Sequence, residues 1–448
     1  MKLMYSGLRK MSLTAVMSCS VLTLSQALYA APVENFGQNL AGLQQAFAHK
    51  NVHILQVGDS HTAGDYFTEQ LRKRLQADVG DGGLGFAYPM DVKGQRAARH
   101  GYQSNGWQLT NSRFNQSADY PLGGMVATPN YSTGYLTLTS QYYNGDRQNA
   151  RIVVKGNAGQ SIEVSDASGV RNLALSRNGW QTLSTPLTFP STLRANSNID
   201  FGGFWLSRST GGMVSAMGIN GATQDYWQRW HPQLAQDLAN SQADLVILAY
   251  GTNEAFQSNV SGQVAALRQA ISQVRQGLPN ASILLVNAPE SLKSTAGSCG
   301  TRATNLDNVQ AQIRQVAAST GALYWSWQDA MGGRCSMKNW IAQGLGRSDG
   351  VHFSRKGYER AANDLYDGLK SLLANTGSGF ATSSNAINTA NNNGTATYDN
   401  GYNATRTSIR RVYSPSTNSS STGTLTNTPA TPPRRLIKMC VGENCKLK

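Results

Sequence analysis

Two short runs of strand-forming residues, 52–57 and 245–250, each end directly in a polar segment. Further runs of the same kind occupy 283–286 and 323–325, and stretches with helical patterning alternate with them. Strands that alternate with helices of this length predict a parallel α/β sheet. In such a sheet the carboxyl ends of the strands lie at one edge, where ligands bind. We therefore expect the polar segments to meet in one crevice. The predicted helices span 66–75, 260–278, 305–320 and 355–373.

Three polar segments carry the groups that serine-based ester hydrolysis needs. Ser60 lies in Gly-Asp-Ser-His, Asn253 in Gly-Thr-Asn-Glu, and Asp349 and His352 form the ends of Asp-Gly-Val-His. A serine hydroxyl becomes a useful nucleophile when a histidine takes its proton, and a carboxylate beside the imidazole fixes its tautomer. Each motif alone is common in turns. Their shared position at strand ends predicts Ser60 as nucleophile, His352 as base and Asp349 as its orienting group.

The tetrahedral intermediate of this chemistry carries a negative oxygen that requires preorganised hydrogen-bond donors. The side chain of Asn253 is one predicted donor. The backbone N–H groups of Ser60 and of a glycine in segment 217–223 are the others, since glycine lets the backbone approach a substrate closely.

Taken together, these segments resemble the blocks of the SGNH (GDSL-type) hydrolases, in which Ser, Gly, Asn and His come from four separated blocks. The resemblance implies a flavodoxin-like parallel sheet. It also implies a catalytic triad of Ser60, His352 and Asp349, and an oxyanion hole formed by Ser60, Gly221 and Asn253.

Two departures from the common pattern point to a subgroup of that family. His61 stands where a leucine is common, and Glu254 stands where an aspartate usually follows the block asparagine. Neither departure replaces a catalytic group. The Gly-Asp-Ser-His start, the Gly-Gly-Leu-Gly-Phe sequence at 82–86 and a long insertion together resemble the bacterial peptidoglycan O-acetylesterases. The resemblance covers 49–90 and 212–375, predicted to be the two parts of one hydrolase domain (31–90 and 212–375).

Residues 91–211, here called the inserted segment, have a different sequence pattern from the rest of the chain. Short alternating runs separated by Gly, Asn and Ser turns predict a β-sandwich. By resemblance to the acetylesterases, the segment would be a carbohydrate-binding-module-like domain, and its glycan-binding role is a hypothesis based on fold analogy. The predicted strands include 135–139, 151–155, 161–164, 181–183 and 204–206.

The N-terminal end of the chain predicts export. Residues 1–30 have a basic start, an apolar centre and a small-residue end, which is typical of a secretory signal peptide. A lipoprotein signal at Cys19 is disfavoured, because the apolar stretch continues beyond it. No later run has the roughly twenty apolar residues needed to span a bilayer. We expect a periplasmic or extracellular protein.

Four cysteines remain once the signal peptide is removed, and an even number in an exported protein predicts disulfides. The expected pairs are Cys299 with Cys335, which would brace loops near the site, and Cys440 with Cys445. No cysteine or histidine has partners at metal-ligand spacing, so neither a metal nor another cofactor is predicted. His49, His53, His100 and His231 are expected to be structural or surface groups.

The C-terminal part is predicted to be a disordered Asn/Thr/Ser-rich linker, 376–433, followed by a basic tail with a cysteine pair, 434–448. The formal net charge of the whole chain is +14. The basic tail is suited to contact an anionic wall polymer or membrane surface. Nucleic acid is a poor partner for an exported protein.

These observations predict an exported serine esterase that removes O-acetyl groups from a cell-wall polysaccharide, by resemblance peptidoglycan, through an acetyl-serine intermediate. An O-acetyltransferase that uses the same triad on a glycan is the main alternative. A catalytically silent glycan-binding protein would have no need of the intact Ser, Asn and Asp-x-x-His set. Trp227 and Trp230 are expected in the core, with sugar stacking as the alternative.

Overall fold

The computed structural model of the protein describes residues 30–195 and 198–377. Three predicted features lie outside these residues. They are the signal peptide except for its last residue, the linker beyond residue 377, and the basic tail with its Cys440–Cys445 pair. Within the two described ranges, no helix combines the length and apolar character needed to cross a membrane.

A six-stranded sheet forms the centre of the described chain. Five of its strands are parallel, and the edge strand Glu34–Asn35 is antiparallel to its neighbour. Numbered in chain order, the parallel strands follow the order 2-1-3-4-5 of flavodoxin-like sheets. The predicted parallel α/β sheet is therefore confirmed. Across the sheet the strands are Glu34–Asn35, Leu323–Trp325, Ser282–Val286, Leu245–Ala249, Asn51–Gly58 and Gly211–Gly218.

Both faces of this sheet are apolar and covered. Along Asn51–Gly58, Val52 and Ile54 belong to one buried cluster, and Leu55 and Val57 belong to a second one. Successive side chains of a strand point to opposite faces, so this alternation places one cluster on each side of the sheet. Burying one such side chain contributes roughly 1.5–3 kcal/mol.

Helices supply the other half of each cluster. Those packed on the first face are Ala41–Ala48, Phe67–Val79 and Arg355–Gly377, and those on the second are Leu234–Ser241, Gln263–Gly277 and Leu306–Thr320. The shorter helices are Ser60–Ala63, Thr252–Ala255, Trp327–Ala330, Ser336–Ala342 and the 3-10 helix Gln224–Arg229.

Two antiparallel sheets account for most of the inserted segment. Their apolar faces share one buried cluster, to which Leu136 and Ile162 contribute from one sheet and Ile152 and Phe204 from the other. The first sheet has the order Gly169–Ala174, Ser161–Asp166, Ser191–Ala195, Tyr135–Thr139, Gly101–Asn105. The second has the order Gly179–Thr188, Arg147–Gly156, Asp200–Ser207, Met125–Pro129, Trp107–Asn111. Each of the five predicted runs lies within one of these strands.

The strand Gly85–Ala87 pairs with Asp200–Ser207 and thus joins the second sheet, although it precedes the predicted start of the inserted segment. This strand belongs to the second sheet because of its pairing partner, and its own sequence does not indicate this. A separate two-stranded sheet consists of Leu292–Ser294 and Thr301–Arg302.

The second antiparallel sheet packs against the central α/β part. Trp205 and Leu122 belong to the same buried cluster as Trp227 and Trp230. The latter two are only 2% and 6% exposed, and Nε1 of Trp227 donates to the hydroxyl of Tyr250 (3.2 Å). Both tryptophans are packing residues, and neither offers an open face to a sugar.

The inserted segment leaves the central part and rejoins it at one place. The N–H of Gly82 donates to the carbonyl of Gly212 (3.0 Å), and the N–H of Arg208 donates to the carbonyl of Gly82 (2.7 Å). Asp81 and Gly212 also form an isolated parallel bridge. The two crossing points therefore lie side by side.

Candidate active site

Ser60 lies two residues beyond the end of the strand Asn51–Gly58 and is the first residue of the helix Ser60–Ala63. Asp59 caps this helix, because its carboxylate accepts the N–H of His61 (2.9 Å). Burial raises the pKa of Asp59 to about 6. The Oγ atom of Ser60 lies 3.0 Å from Nε2 of His352.

His352 is held on its other side by Asp349. Nδ1 of His352 lies 2.9 Å from Oδ2 of Asp349, while Oδ1 accepts the backbone N–H groups of Val351 and His352, each at 2.9 Å. Burial raises the pKa of Asp349, but these three hydrogen bonds outweigh it and hold the pKa well below its usual range. Because an ionised carboxylate only accepts, Nδ1 carries the proton and Nε2 presents its lone pair to Ser60.

The turn that carries Asp349 and His352 is anchored on both sides. Gly350 has a φ of +72°, and a Cβ there would lie 3.0 Å from Cβ of Leu292, so glycine suits both the conformation and the space. The N–H of Leu292 donates to the carbonyl of Gly350 (2.8 Å), and the N–H of Arg347 donates to that of His352 (2.8 Å).

The predicted disulfide between Cys299 and Cys335 is confirmed. The backbone N–H of Cys335 donates to Glu290 (3.0 Å), a buried carboxylate that also pairs with Arg302 (2.6 Å). Glu290 is two residues from Leu292, so the disulfide region and the Asp349 turn share one support.

Gly221 lies in the turn that follows the strand Gly211–Gly218. It has a φ of +75°, and its N–H takes part in none of the hydrogen bonds within residues 30–195 and 198–377. The N–H of Ile219 donates to the carbonyl of Gly58 (3.0 Å), which holds the turn beside the Ser60 segment.

Asn253 reaches the same turn from the next strand end. Its Nδ2 donates one N–H to the carbonyl of Ala222 (2.8 Å), which leaves the second N–H of the amide for a ligand. The structure thus brings Ser60, Gly221, Asn253 and the His352 pair onto adjoining loops at the carboxyl ends of the sheet. Their predicted roles fit this arrangement.

Glu254 joins two of these loops, which was not predicted. Its carboxylate accepts the N–H of Gln224 (2.8 Å), just after the Gly221 turn, and the N–H of Gly251 (3.1 Å), just before Asn253. Burial raises the pKa of Glu254 to about 7. A glutamate three residues after a helix N-cap is typical of a capping box, so its spacing from Gly251 could have indicated this role.

Replacing Glu254 by glutamine should change how stability depends on pH. A buried acid with a raised pKa contributes stability that is present below its unfolded pKa and is lost as pH rises through its folded pKa. The Tm of the wild type minus that of Glu254→Gln should therefore be largest near pH 4 and decrease towards pH 8, with most of the change between about pH 4 and 7. Thermal unfolding across this range measures the difference. A difference in Tm that does not change with pH would contradict the role of Glu254 as an ionisable group that links the two loops.

His61, the other departure from the family pattern, also lies against the site. Its ring centroid is 5.4 Å from that of His352, and its Nδ1 lies 3.0 Å from the hydroxyl of Tyr358. Burial lowers the pKa of His61 well below its ordinary value, so the ring packs against His352 in its neutral form. Two other histidines are buried with partners: His53 contacts Ser215, and His231 contacts Asp237.

Two family models match the chain. One, described as peptidoglycan O-acetylesterase, N-terminal, matches residues 82–192, and the GDSL-like lipase/acylhydrolase family matches residues 188–360. No curated protein matches the sequence.

Among solved structures, one described as a peptidoglycan O-acetylesterase in action at 5 min is 44% identical, covers 77% of this chain and 99% of its own, and has a TM-score of 0.72. A protein from Lactobacillus plantarum is 19% identical, covers 36% of this chain and 81% of its own, and has a TM-score of 0.29. A lipase/acylhydrolase from Enterococcus faecalis is 19% identical, covers 37% of this chain and 77% of its own, and has a TM-score of 0.28.

Proposed function

This chain belongs to the peptidoglycan O-acetylesterases within the GDSL-type hydrolases, and we propose that it removes O-acetyl groups from peptidoglycan through an acetyl-serine intermediate. As a member of this family it is a carboxylic ester hydrolase. The observation that carries the mechanism is the continuous set of contacts from Ser60 Oγ to His352 Nε2 (3.0 Å) and from His352 Nδ1 to Asp349 (2.9 Å).

In the proposed reaction, Ser60 Oγ attacks the acetyl carbonyl while Nε2 of His352 takes the serine proton. The sugar hydroxyl then leaves with that proton, and Ser60 retains the acetyl group. A water molecule then gives a proton to His352 and attacks the acetyl-serine, and His352 returns this proton to Ser60 Oγ as the bond to the acetyl group breaks and acetate is released. Asp349 stabilises the imidazolium in both halves of the cycle. The N–H groups of Ser60, Gly221 and Asn253 would bind the developing oxyanion.

Free acetate is the product that tests this proposal. Purified protein is mixed with O-acetylated peptidoglycan, and with the same material after chemical deacetylation, and acetate is measured over time. We expect release from the first substrate alone. Transfer of the acetyl group to a sugar hydroxyl, with little free acetate, would contradict an esterase and favour the O-acetyltransferase alternative.

We also propose that the protein acts outside the cytoplasm, where its polymer substrate is found. The predicted signal peptide supports this location, as does the disulfide Cys299–Cys335, since disulfides persist in oxidising compartments. Fractionation of cells that produce the full chain tests it. Contact between the basic tail, 434–448, and an anionic surface stays a prediction.

The inserted segment is proposed to be a carbohydrate-binding-module-like β-sandwich that holds the glycan. Its two facing sheets with a shared apolar cluster support this proposal, as do its exposed aromatic residues. Phe114, Tyr131 and Tyr142 are 79%, 46% and 60% exposed. Aromatic faces line many ligand sites, and a polymer held by remote contacts presents its ester in a better orientation.

Replacing Tyr131 and Tyr142 by alanine should lower activity on acetylated peptidoglycan about fivefold, as expected when roughly 1 kcal/mol of remote binding is lost. Hydrolysis of 4-nitrophenyl acetate should fall less, since this ester is too small to reach the inserted segment. Val170→Ala, at an exposed aliphatic residue of the same segment, serves as the control. Equal losses on both substrates would mean that the segment shapes the active site instead. No loss on either would leave it without a glycan-binding role.

A further inference from the structure

An arginine of the inserted segment, Arg113, lies against the turn that carries Gly221. A Cβ built on Gly221 would lie 3.1 Å from a guanidinium nitrogen of Arg113. Arg113 comes just after the strand Trp107–Asn111, and its backbone N–H donates to the side chain of Asn111 (2.8 Å). Arg113 is half-buried as a residue, and its guanidinium takes part in no ion pair among the described parts of the chain. A positive charge without an acidic partner therefore stands beside the proposed oxyanion hole.

A second cation without an ion pair lies on another loop of the inserted segment, and this loop also contacts the turn. The carbonyl of Gly94 accepts the side-chain N–H of Asn220 (2.7 Å), the residue before Gly221. Lys93, its neighbour, is exposed and forms no ion pair within 30–195 and 198–377. Two loops from outside the central sheet thus contact the Asn220-Gly221 turn through Arg113 and Gly94, and each loop carries a cation that forms no ion pair among the described residues.

An exposed aromatic residue adjoins Arg113. The guanidinium carbon of Arg113 lies 5.1 Å from the ring centroid of Phe114. A cation at this distance from a ring is attracted to it, which restricts the positions of the long arginine side chain. Phe114 is exposed, so the pair presents an apolar face next to a fixed positive charge.

Resting on the proposed function, we infer that Arg113 and Lys93 form a subsite for a carboxylate of the glycan substrate, next to the position of the acetyl ester. Guanidinium and ammonium groups bind carboxylates through charge-assisted hydrogen bonds. An acetyl ester is neutral and has its own donors at the oxyanion hole. A carboxylate on the same polymer, once bound at this subsite, would align the ester with Ser60.

Peptidoglycan offers this carboxylate from two sources. The lactyl group of its acidic sugar is a free carboxylate where the peptide has been removed. Where the peptide is present, the lactyl group is an amide and the peptide supplies the carboxylates. Both sources have the chemistry that the two cations require, and substrates with and without peptide distinguish them.

The test compares full-length wild type with Arg113→Gln, Lys93→Gln and the double variant. The substrates are intact O-acetylated peptidoglycan, O-acetylated strands without peptide, a neutral O-acetylated chitin oligosaccharide and 4-nitrophenyl acetate. The kcat/KM on a carboxylate-bearing glycan, divided by that on 4-nitrophenyl acetate, should fall about tenfold in the double variant. Arg147→Gln, at an exposed arginine of the inserted segment that forms no ion pair with another described residue, should keep the wild-type ratio.

The glycan that shows the larger decrease identifies the source of the carboxylate. The effect should shrink at high ionic strength, where exposed charges are screened. An equal decrease on charged glycans, the neutral oligosaccharide and 4-nitrophenyl acetate would overturn the inference, because the cations would then support the turn itself. Unchanged ratios would overturn it too. If the wild type releases no acetate from any glycan, the proposed function fails first, which separates the two failures.

Discussion

Replacing Ser60 by alanine should reduce acetate release by about four to six orders of magnitude, because removing one member of a nucleophilic triad removes the covalent route. His352→Ala should cost a similar factor, since Ser60 Oγ has its 3.0 Å contact with that imidazole. The double variant should be little slower than either single variant, because the two groups act as one unit. Rates on acetylated peptidoglycan and on 4-nitrophenyl acetate measure all three effects.

Ser336→Ala is the matched control for this experiment. Ser336 is a buried serine whose hydroxyl has no hydrogen-bond partner among the described residues, so its loss should leave the rate near the wild-type value. Acid-quenched wild type should carry an acetyl group on Ser60, detectable by mass spectrometry of its peptides. A folded Ser60→Ala protein with near-normal turnover would refute the mechanism.

Replacing Asn253 by alanine should lower kcat about a hundredfold or more while changing KM little, because an oxyanion donor acts on charge that develops only in the transition state. The side chain also donates to the carbonyl of Ala222 (2.8 Å), so the alanine variant leaves this acceptor unpaired as well.

Asn253→Asp separates these two effects. Aspartate keeps the shape of the side chain, but as a carboxylate it donates no hydrogen bond and repels a negative oxygen. We expect it to lose at least as much kcat as the alanine variant. A loss confined to KM in both variants would instead make Asn253 a substrate-binding residue. Thermal unfolding of both variants shows whether the Ala222 contact also supports the fold.

Most of the central sheet could be predicted because its strands are recognisable from short stretches of sequence. Four of its parallel strands are apolar runs bounded by polar turns, and each was predicted within two residues of its observed ends. The strand Gly211–Gly218 was not among them, since its sequence contains three glycines and a single β-branched residue, Val214, and so has little strand propensity of its own. It is a strand because it pairs along its whole length with Asn51–Gly58.

Residues around the site also differ in whether a local sequence pattern indicates their position. The motifs of Ser60 and His352 could be read directly, because each adjoins a local pattern: Ser60 follows a predicted strand and His352 precedes a predicted helix. Glu254 had a readable signal, because it lies three residues after the helix N-cap Gly251. Arg113 had none, because its position beside Gly221 depends on how the inserted segment packs on the central part.

The side-by-side crossing points at Gly82 and Gly212 also have a consequence for folding kinetics. The strand Gly211–Gly218 can join the sheet only after the whole inserted segment has been closed into a loop. The entropy lost in such closure grows with the logarithm of loop length, and contacts of high sequence separation form slowly. A segment that folds first, with its ends already a hydrogen bond apart, acts as a very short connection. We therefore expect substitutions that delay folding of the inserted segment to delay assembly of the catalytic crevice as well, even when they are distant from Ser60.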